Sequence, residues 1–220
     1  LVLFMTPGLA FFYGGMVRSR NVLNMLMMNF WCLLVVPLVW AIVGYSLAFS
    51  GSNRFAGNLD KAFMRNLDFA TLEPAVCIFL ATFAAIAPAL ISGALADRMK
   101  FSAWAIFVPL WSLLVYVPVT YWVFSANGWF LSRGSLDFAG GTAIHVNAGI
   151  AALAVVLVLG RRNGWPTKLS PPHSMPFVML GTGILWFGWF GFNAGSALAA
   201  DGRAVQAFIN TMLAASAGGL

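Results

Sequence analysis

Along this 220-residue chain the apolar residues run in long blocks, and the charged residues gather in the short segments between them. A helix needs roughly 20 mainly apolar residues to cross a bilayer. Blocks of that size fall at about 1–17, 27–50, 72–95, 102–124, 139–160 and 175–200, and a seventh begins near 204. The pattern predicts an all-α fold, a polytopic bundle of transmembrane helices in a single domain over 1–220. The first and last blocks are short of a full span, position 1 is not Met, and both ends lie inside apolar stretches. The expectation is therefore a piece of a longer protein. No basic segment and small-residue cleavage site mark a signal peptide.

Helix-start residues sit where the blocks open. Thr71, Glu73 and Pro74 precede the third, Ser102 is placed to cap the fourth, and Asp137 precedes the fifth. Pro7, Pro37, Pro88, Pro109 and Pro118 fall inside the blocks. They would break helices in water, but a bundle can re-satisfy the carbonyls they free. Small residues recur at Gly140–Gly141, Ala148–Ala152, Gly188, Gly191 and Gly195, as expected where helix backbones approach closely in lipid.

Composition strengthens the membrane reading. Hydrophobic residues make up 61% and charged residues 8%, against about 25% charged in an ordinary soluble domain. The formal charge of +6 is spread over short loops, so it indicates membrane topology and not a nucleic-acid partner. One set of loops carries Arg18, Arg20, Arg98, Lys100, Arg161, Arg162 and Lys168 with a single acid, Asp97. The other carries Arg54, Lys61, Arg65, Arg133 and Arg203 with five acids. Seven basic residues against five place the first set in the cytoplasm and the N-terminus outside. Cys32 and Cys77 each lie within an apolar run, with no disulfide framework or metal-ligand spacing.

Little chemistry is available inside the blocks. His145 is the one ionisable residue well within a span. An ionisable group there is costly and marks a functional site by default; the alternative is a neutral histidine bonded to a neighbouring helix. Asp137 precedes it by about two turns, ~12 Å, and suits either a helix cap or an attraction for an incoming cation. Phe79 and Phe83 lie one turn apart on the third block, Phe124 ends the fourth, and Trp186, Trp189, Phe190 and Phe192 crowd the sixth. These aromatics suit packing in lipid or, together, a cation–π cage. Ser196, one turn past Phe192, offers a hydroxyl to such a cage or a small side chain for packing. His173 reads as a helix-entry residue in a polar loop. Gly181-x-Gly183 lacks the strand–helix setting of a nucleotide site, and no nucleophile–base pair, cofactor motif or metal set is evident. No cofactor and no enzymatic activity are expected.

Four segments resemble the ammonium transporter family (Amt/Mep, with the related Rhesus glycoproteins). They are TPGLAFFYGG at 6–15 with Val17 and Arg18, FAAI at 83–86 running to GALADR at 93–98, DFAGGT at 137–142 with HVNA at 145–148, and GWFGFNAGS at 188–196. The resemblance implies an eleven-helix subunit of two inverted five-helix halves, a plan shared by many transporters, of which this chain supplies the first half, the sixth helix and the start of the seventh. It implies a homotrimer in the cell membrane carrying ammonium or ammonia, with methylammonium as an analogue. A regulatory protein of the PII class could dock on the cytoplasmic loops. By matching positions, Phe79, Phe83, Phe124 and Ser196 would form an external ammonium cage. Phe83 and Phe192 would form a gate, Trp189 would line the pore, His145 would be the first of paired pore histidines, and Asp137 would support the site. Bacterial members often carry Trp where Phe124 stands, Trp129 being the alternative match; the partner histidine belongs to a later helix. Other readings of the same fold are an ammonium sensor with an appended signalling domain and a Rhesus-type gas channel.

Overall fold

A computed structural model of the chain describes residues 1–162, 164–168 and 170–220. Seven helices of more than ten residues run through them: α1 (Val2–Met16), α2 (Ser19–Phe49), α3 (Glu73–Leu95), α4 (Phe101–Phe124), α5 (Gly141–Leu159), α6 (Met175–Gly195) and α7 (Gly202–Gly219). Helices α2 to α6 are each long and apolar enough to cross a membrane. No strand occurs among the described residues.

The boundaries depart from the expected ones where polar residues enter a helix. Helix α2 begins at Ser19 and not near 27, because Arg20, Asn21 and Asn24 are compatible with helical backbone although they interrupt the apolar run. Helix α6 stops at Gly195, and the chain turns before Asp201 caps α7 by accepting from the backbone N–H of Arg203 at 3.0 Å and Ala204 at 3.1 Å. These bonds favour the charged carboxylate and hold its pKa below the usual range. Ser102 does not cap α4. The extended backbone of Lys100 starts that helix one residue earlier, at Phe101, and no side chain caps it.

Helix α3 is the centre of the bundle. Two thirds (67%) of its most apolar stretch is buried, against 17–39% for the other four spans, and it packs on α1, α2 and α5. Indole N–H groups tie its surroundings together: Trp40 Nε1 donates to the Cys77 carbonyl at 3.1 Å, and Trp104 Nε1 to that of Met28 at 2.7 Å. Pro109 leaves the Ala105 carbonyl without its usual helical donor, and Trp31 of α2 supplies one at 3.2 Å, the compensation expected of a bundle. Buried Asn29 of α2 donates to Ser92 of α3 at 3.1 Å. The 50–72 loop is held by Glu73, which accepts from Tyr45, Lys61 and the backbone of Asp68.

Helices α1 and α6 touch backbone to backbone. A Cβ on Gly181 would lie 2.2 Å from the Phe12 nitrogen, and one on Gly8 would lie 2.6 Å from that of Leu185. The Gly181-x-Gly183 pair thus marks a helix contact. Around the perimeter Leu34, Leu38, Ile106, Leu114, Leu153 and Val158 are exposed, an arrangement that water disfavours and lipid does not.

Candidate functional site

The site builds from the start of α5. Gly140 sits at φ 89°, where the Cβ of any other residue would meet Ile144 at 2.5 Å. That left-handed turn brings four backbone N–H groups onto one carboxylate. Asp137 Oδ1 accepts from Gly140 (2.6 Å) and Gly141 (2.8 Å), and Oδ2 from Thr142 (2.8 Å) and Ala143 (2.9 Å). The orphan donors of a helix start are thereby satisfied by a single anion at the positive end of the helix dipole. The first turn, Gly141–Val146, is a wide π-helical one, and π-turns often occur at functional sites. His145 projects from it.

The His145 ring lies parallel to the indole of Trp189 on α6, with centroids 6.0 Å apart and planes within 6°. It also faces Phe192 at 6.0 Å. Neither imidazole nitrogen has a hydrogen-bond partner among the described residues, and the side chain is exposed. It therefore stands at an open face of this seven-helix unit and not inside it.

Next to His145, helices α3 and α6 meet through aromatic rings. Phe83 of α3 and Phe192 of α6 stack face to face at 4.0 Å and 14°, each only 1% exposed. Phe79 leans on Phe83 at 4.6 Å. Its ring fits because residue 195 is Gly: a Cβ there would come within 3.0 Å of it. Sequence reading named Gly195 only as a packing residue; its contact with Phe79 has no local signature. Ser196 Oγ donates to the Phe192 carbonyl at 2.8 Å, which fixes the hydroxyl and leaves its lone pairs free to accept.

Of the expected site residues, the structure thus brings together Phe79, Phe83 and Phe192, and His145, Trp189 and Phe192. Phe124 ends α4, half-buried, with no ring contact to Phe79 or Phe83 among the described residues. Trp129, the alternative match, is occupied elsewhere: it packs on Trp122 and Phe130, with Arg133 over its ring at 4.5 Å. Trp186 stacks on Phe190 at 6.2 Å and Phe190 on Phe208 at 4.4 Å, an α6–α7 contact away from the central rings. His173 approaches the Val17 carbonyl at 3.1 Å, bracing the entry to α6. No group of His, Cys, Asp or Glu among the described residues could hold a metal ion.

Comparison with known proteins gives a consistent answer. The Ammonium Transporter Family matches residues 1–220. An ammonium transporter of Mycobacterium tuberculosis is 49% identical over 99% of this chain and 52% of its own length. One from Bacillus subtilis is 46% identical over 99% of this chain and 55% of its own. The crystal structure of Candida albicans Mep2 superposes with a TM-score of 0.91 at 36% identity, covering 99% of this chain and 50% of that one. The chain spans about half the length of the relatives it matches. With five apolar spans and this kinship, the chain is a multi-pass integral protein of the cell membrane that belongs to the Ammonium Transporter Family.

Proposed function

We propose that this chain forms the first half of a pore that takes ammonium from outside the cell and conducts it across the membrane as ammonia. The observation that carries the reading is the stacked pair Phe83–Phe192, with Phe79 on its outer side and His145 and Trp189 beyond it. The alternating directions of the helices put Phe79, Phe124 and Ser196 at the same end of the bundle, the end assigned to the outside by its loops.

Selection is the physical difficulty, because ammonium and potassium carry the same charge. Phe79, Phe83 and Phe124 offer aromatic faces, each worth roughly 0.5–2 kcal/mol to a cation as water is removed. The Ser196 hydroxyl, already donating to Phe192, accepts one N–H of ammonium. Below this cage the rings are in van der Waals contact and leave no room for an ion, so Phe83 and Phe192 act as a gate. Beyond it an apolar passage makes any bare charge prohibitively costly. Ammonium can cross by giving up its proton, and potassium has none to give. The unpartnered nitrogens of His145 are available to carry that proton. Asp137 holds the turn bearing His145 and adds negative potential near the entrance.

The pore is completed by the remainder of the protein, which contributes a second histidine facing the open side of His145, and three copies assemble in the membrane. The basic loops lie in the cytoplasm, where a PII-type regulator docks. Relatives at 46–50% identity are named as ammonium transporters, which favours flux over sensing. The test is uptake of labelled methylammonium by the full-length protein in cells lacking their own transporters. Saturable uptake, competed by ammonium and lost in Ser196→Leu, is expected; a protein that reaches the membrane and carries none refutes the transport reading.

A further inference from the structure

The second half of α4 carries a stripe of hydroxyls that nothing described so far employs. Ser112, Tyr116 and Thr120 follow one another at four-residue intervals, so they stand on successive turns of one helix face. They are 2%, 0% and 0% exposed. None of their hydroxyl oxygens has a hydrogen-bond partner among the described residues. The segment that bears them packs on α2, on α3 and on the first turn of α5.

Other hydroxyls in these helices behave differently. Thr82, Ser92, Thr182 and Thr211 each donate to a carbonyl of their own helix, at 2.6, 2.7, 2.8 and 2.7 Å. That local bond is open to a helical Ser or Thr, yet Ser112 and Thr120 do not make it. The indole of Trp40 packs on the Tyr116 ring with centroids 6.2 Å apart. Its N–H cannot serve the phenol, because it is already given to the Cys77 carbonyl.

The backbone at the stripe is irregular as well. Ser112–Tyr116 is a wide π-helical turn, and π-turns often occur at functional sites. Pro118 follows it and has no N–H to give the Leu114 carbonyl, four residues earlier. A hydroxyl brings one donor and two acceptor lone pairs, and one left unpaired in an apolar span is costly. Buried polar groups are as a rule answered. The stripe holds no ionisable residue other than the phenol, so the ligand that answers it is small, neutral, and both donor and acceptor.

We propose that this stripe binds ordered water between α4 and the helices packed on it, bridging the hydroxyls of Ser112, Tyr116 and Thr120 to backbone carbonyls around the π-turn. A buried water typically makes about three hydrogen bonds to groups that the protein leaves unpaired, and the stripe supplies them. The segment carrying Thr120 touches the Gly141–Val146 turn, so the water ties α4 to the turn on which His145 stands. The site does not depend on the transport reading.

The test is a crystal structure of the full-length protein at a resolution that shows ordered water, together with thermal unfolding of Tyr116→Phe and Thr120→Val. Water within hydrogen-bonding distance of at least two of the three hydroxyls is expected in the parent. Each variant deletes a hydroxyl and nearly keeps the shape of the side chain. If water is bound, the deletion leaves it short of a partner, and the unfolding temperature falls by about 1–3 °C. If the hydroxyls are dry, the deletion relieves an unpaired buried group, and the temperature holds or rises. An unchanged or raised unfolding temperature in both variants would overturn the site. So would a parent map with no water at any of the three hydroxyls, and that map decides the matter alone if a variant fails to fold.

Discussion

Asp137 offers the sharpest perturbation, because one carboxylate accepts four backbone N–H groups at the start of α5. In Asp137→Asn the side chain keeps one carbonyl oxygen, so the two N–H groups served by the other oxygen face an amide NH2 instead. An unpaired buried N–H costs about 1–3 kcal/mol, reduced here because Gly141 is exposed and Thr142 half-buried. Loss of the negative charge at the helix start adds roughly 0.3–1 kcal/mol. Together these give about 2 kcal/mol, and Asp137→Ala, which removes both oxygens, should cost somewhat more. The readouts are thermal unfolding of the purified full-length protein and methylammonium uptake per molecule at the membrane. A fall in unfolding temperature of a few degrees is expected, with reduced uptake because the turn carrying His145 loosens. An unchanged unfolding temperature would refute the capping argument. If uptake were lost all the same, Asp137 would act on the ion directly. Unfolding at lower temperature with unchanged uptake would confine the residue to a structural part.

Other outcomes follow from the same geometry. His145→Ala should abolish net charge movement or admit potassium, measured as ammonium- and potassium-evoked current; unchanged current and selectivity would remove it from the proton route. Phe124→Trp should lower the half-saturating ammonium concentration, since Trp presents the strongest cation–π face; no change would place residue 124 outside the cage. Gly181→Ala drives a methyl group into the Phe12 backbone, a site that would require a separation of 2.2 Å. It should cost at least about 1–3 kcal/mol, the range for overpacking, and sharply reduce folded protein at the membrane on a detergent-stability assay.

How much of this was readable beforehand depends on the physical range of each signal. The spans were legible because hydrocarbon tolerates almost no charge, so the ionisable residues themselves mark the edges. The exact ends were not: Arg20 and Asn24 break the apolar run of α2 without breaking its helix, and Lys100 starts α4 through its backbone conformation, where a hydroxyl at Ser102 had promised a cap. Asp137 was visible as a helix-start residue. That its two oxygens collect four N–H groups required the left-handed Gly140 and the wide turn after it, which no side-chain pattern announces.

Contacts between distant segments were the least accessible. The chain has 20 Phe, and periodicity treats them alike; nothing local distinguishes Phe83 and Phe192, which stack at 4.0 Å, from the Phe residues that face lipid. Only the ordered motifs around them singled them out. The same holds for Gly8 and Gly181, whose close approach sets where α6 lies against α1 and therefore where Trp189, Phe192 and Ser196 meet α3 and α5. His145 shows the limit from the other side. Its isolation in an apolar run sets it apart, but an isolated polar residue signals equally a buried partner or an open face. The described helices leave both of its nitrogens unpartnered and its ring exposed. A polar group in an apolar span is tolerable only if something answers it, so the face that His145 presents is where the rest of the protein must bring a hydrogen-bonding partner or a path for water.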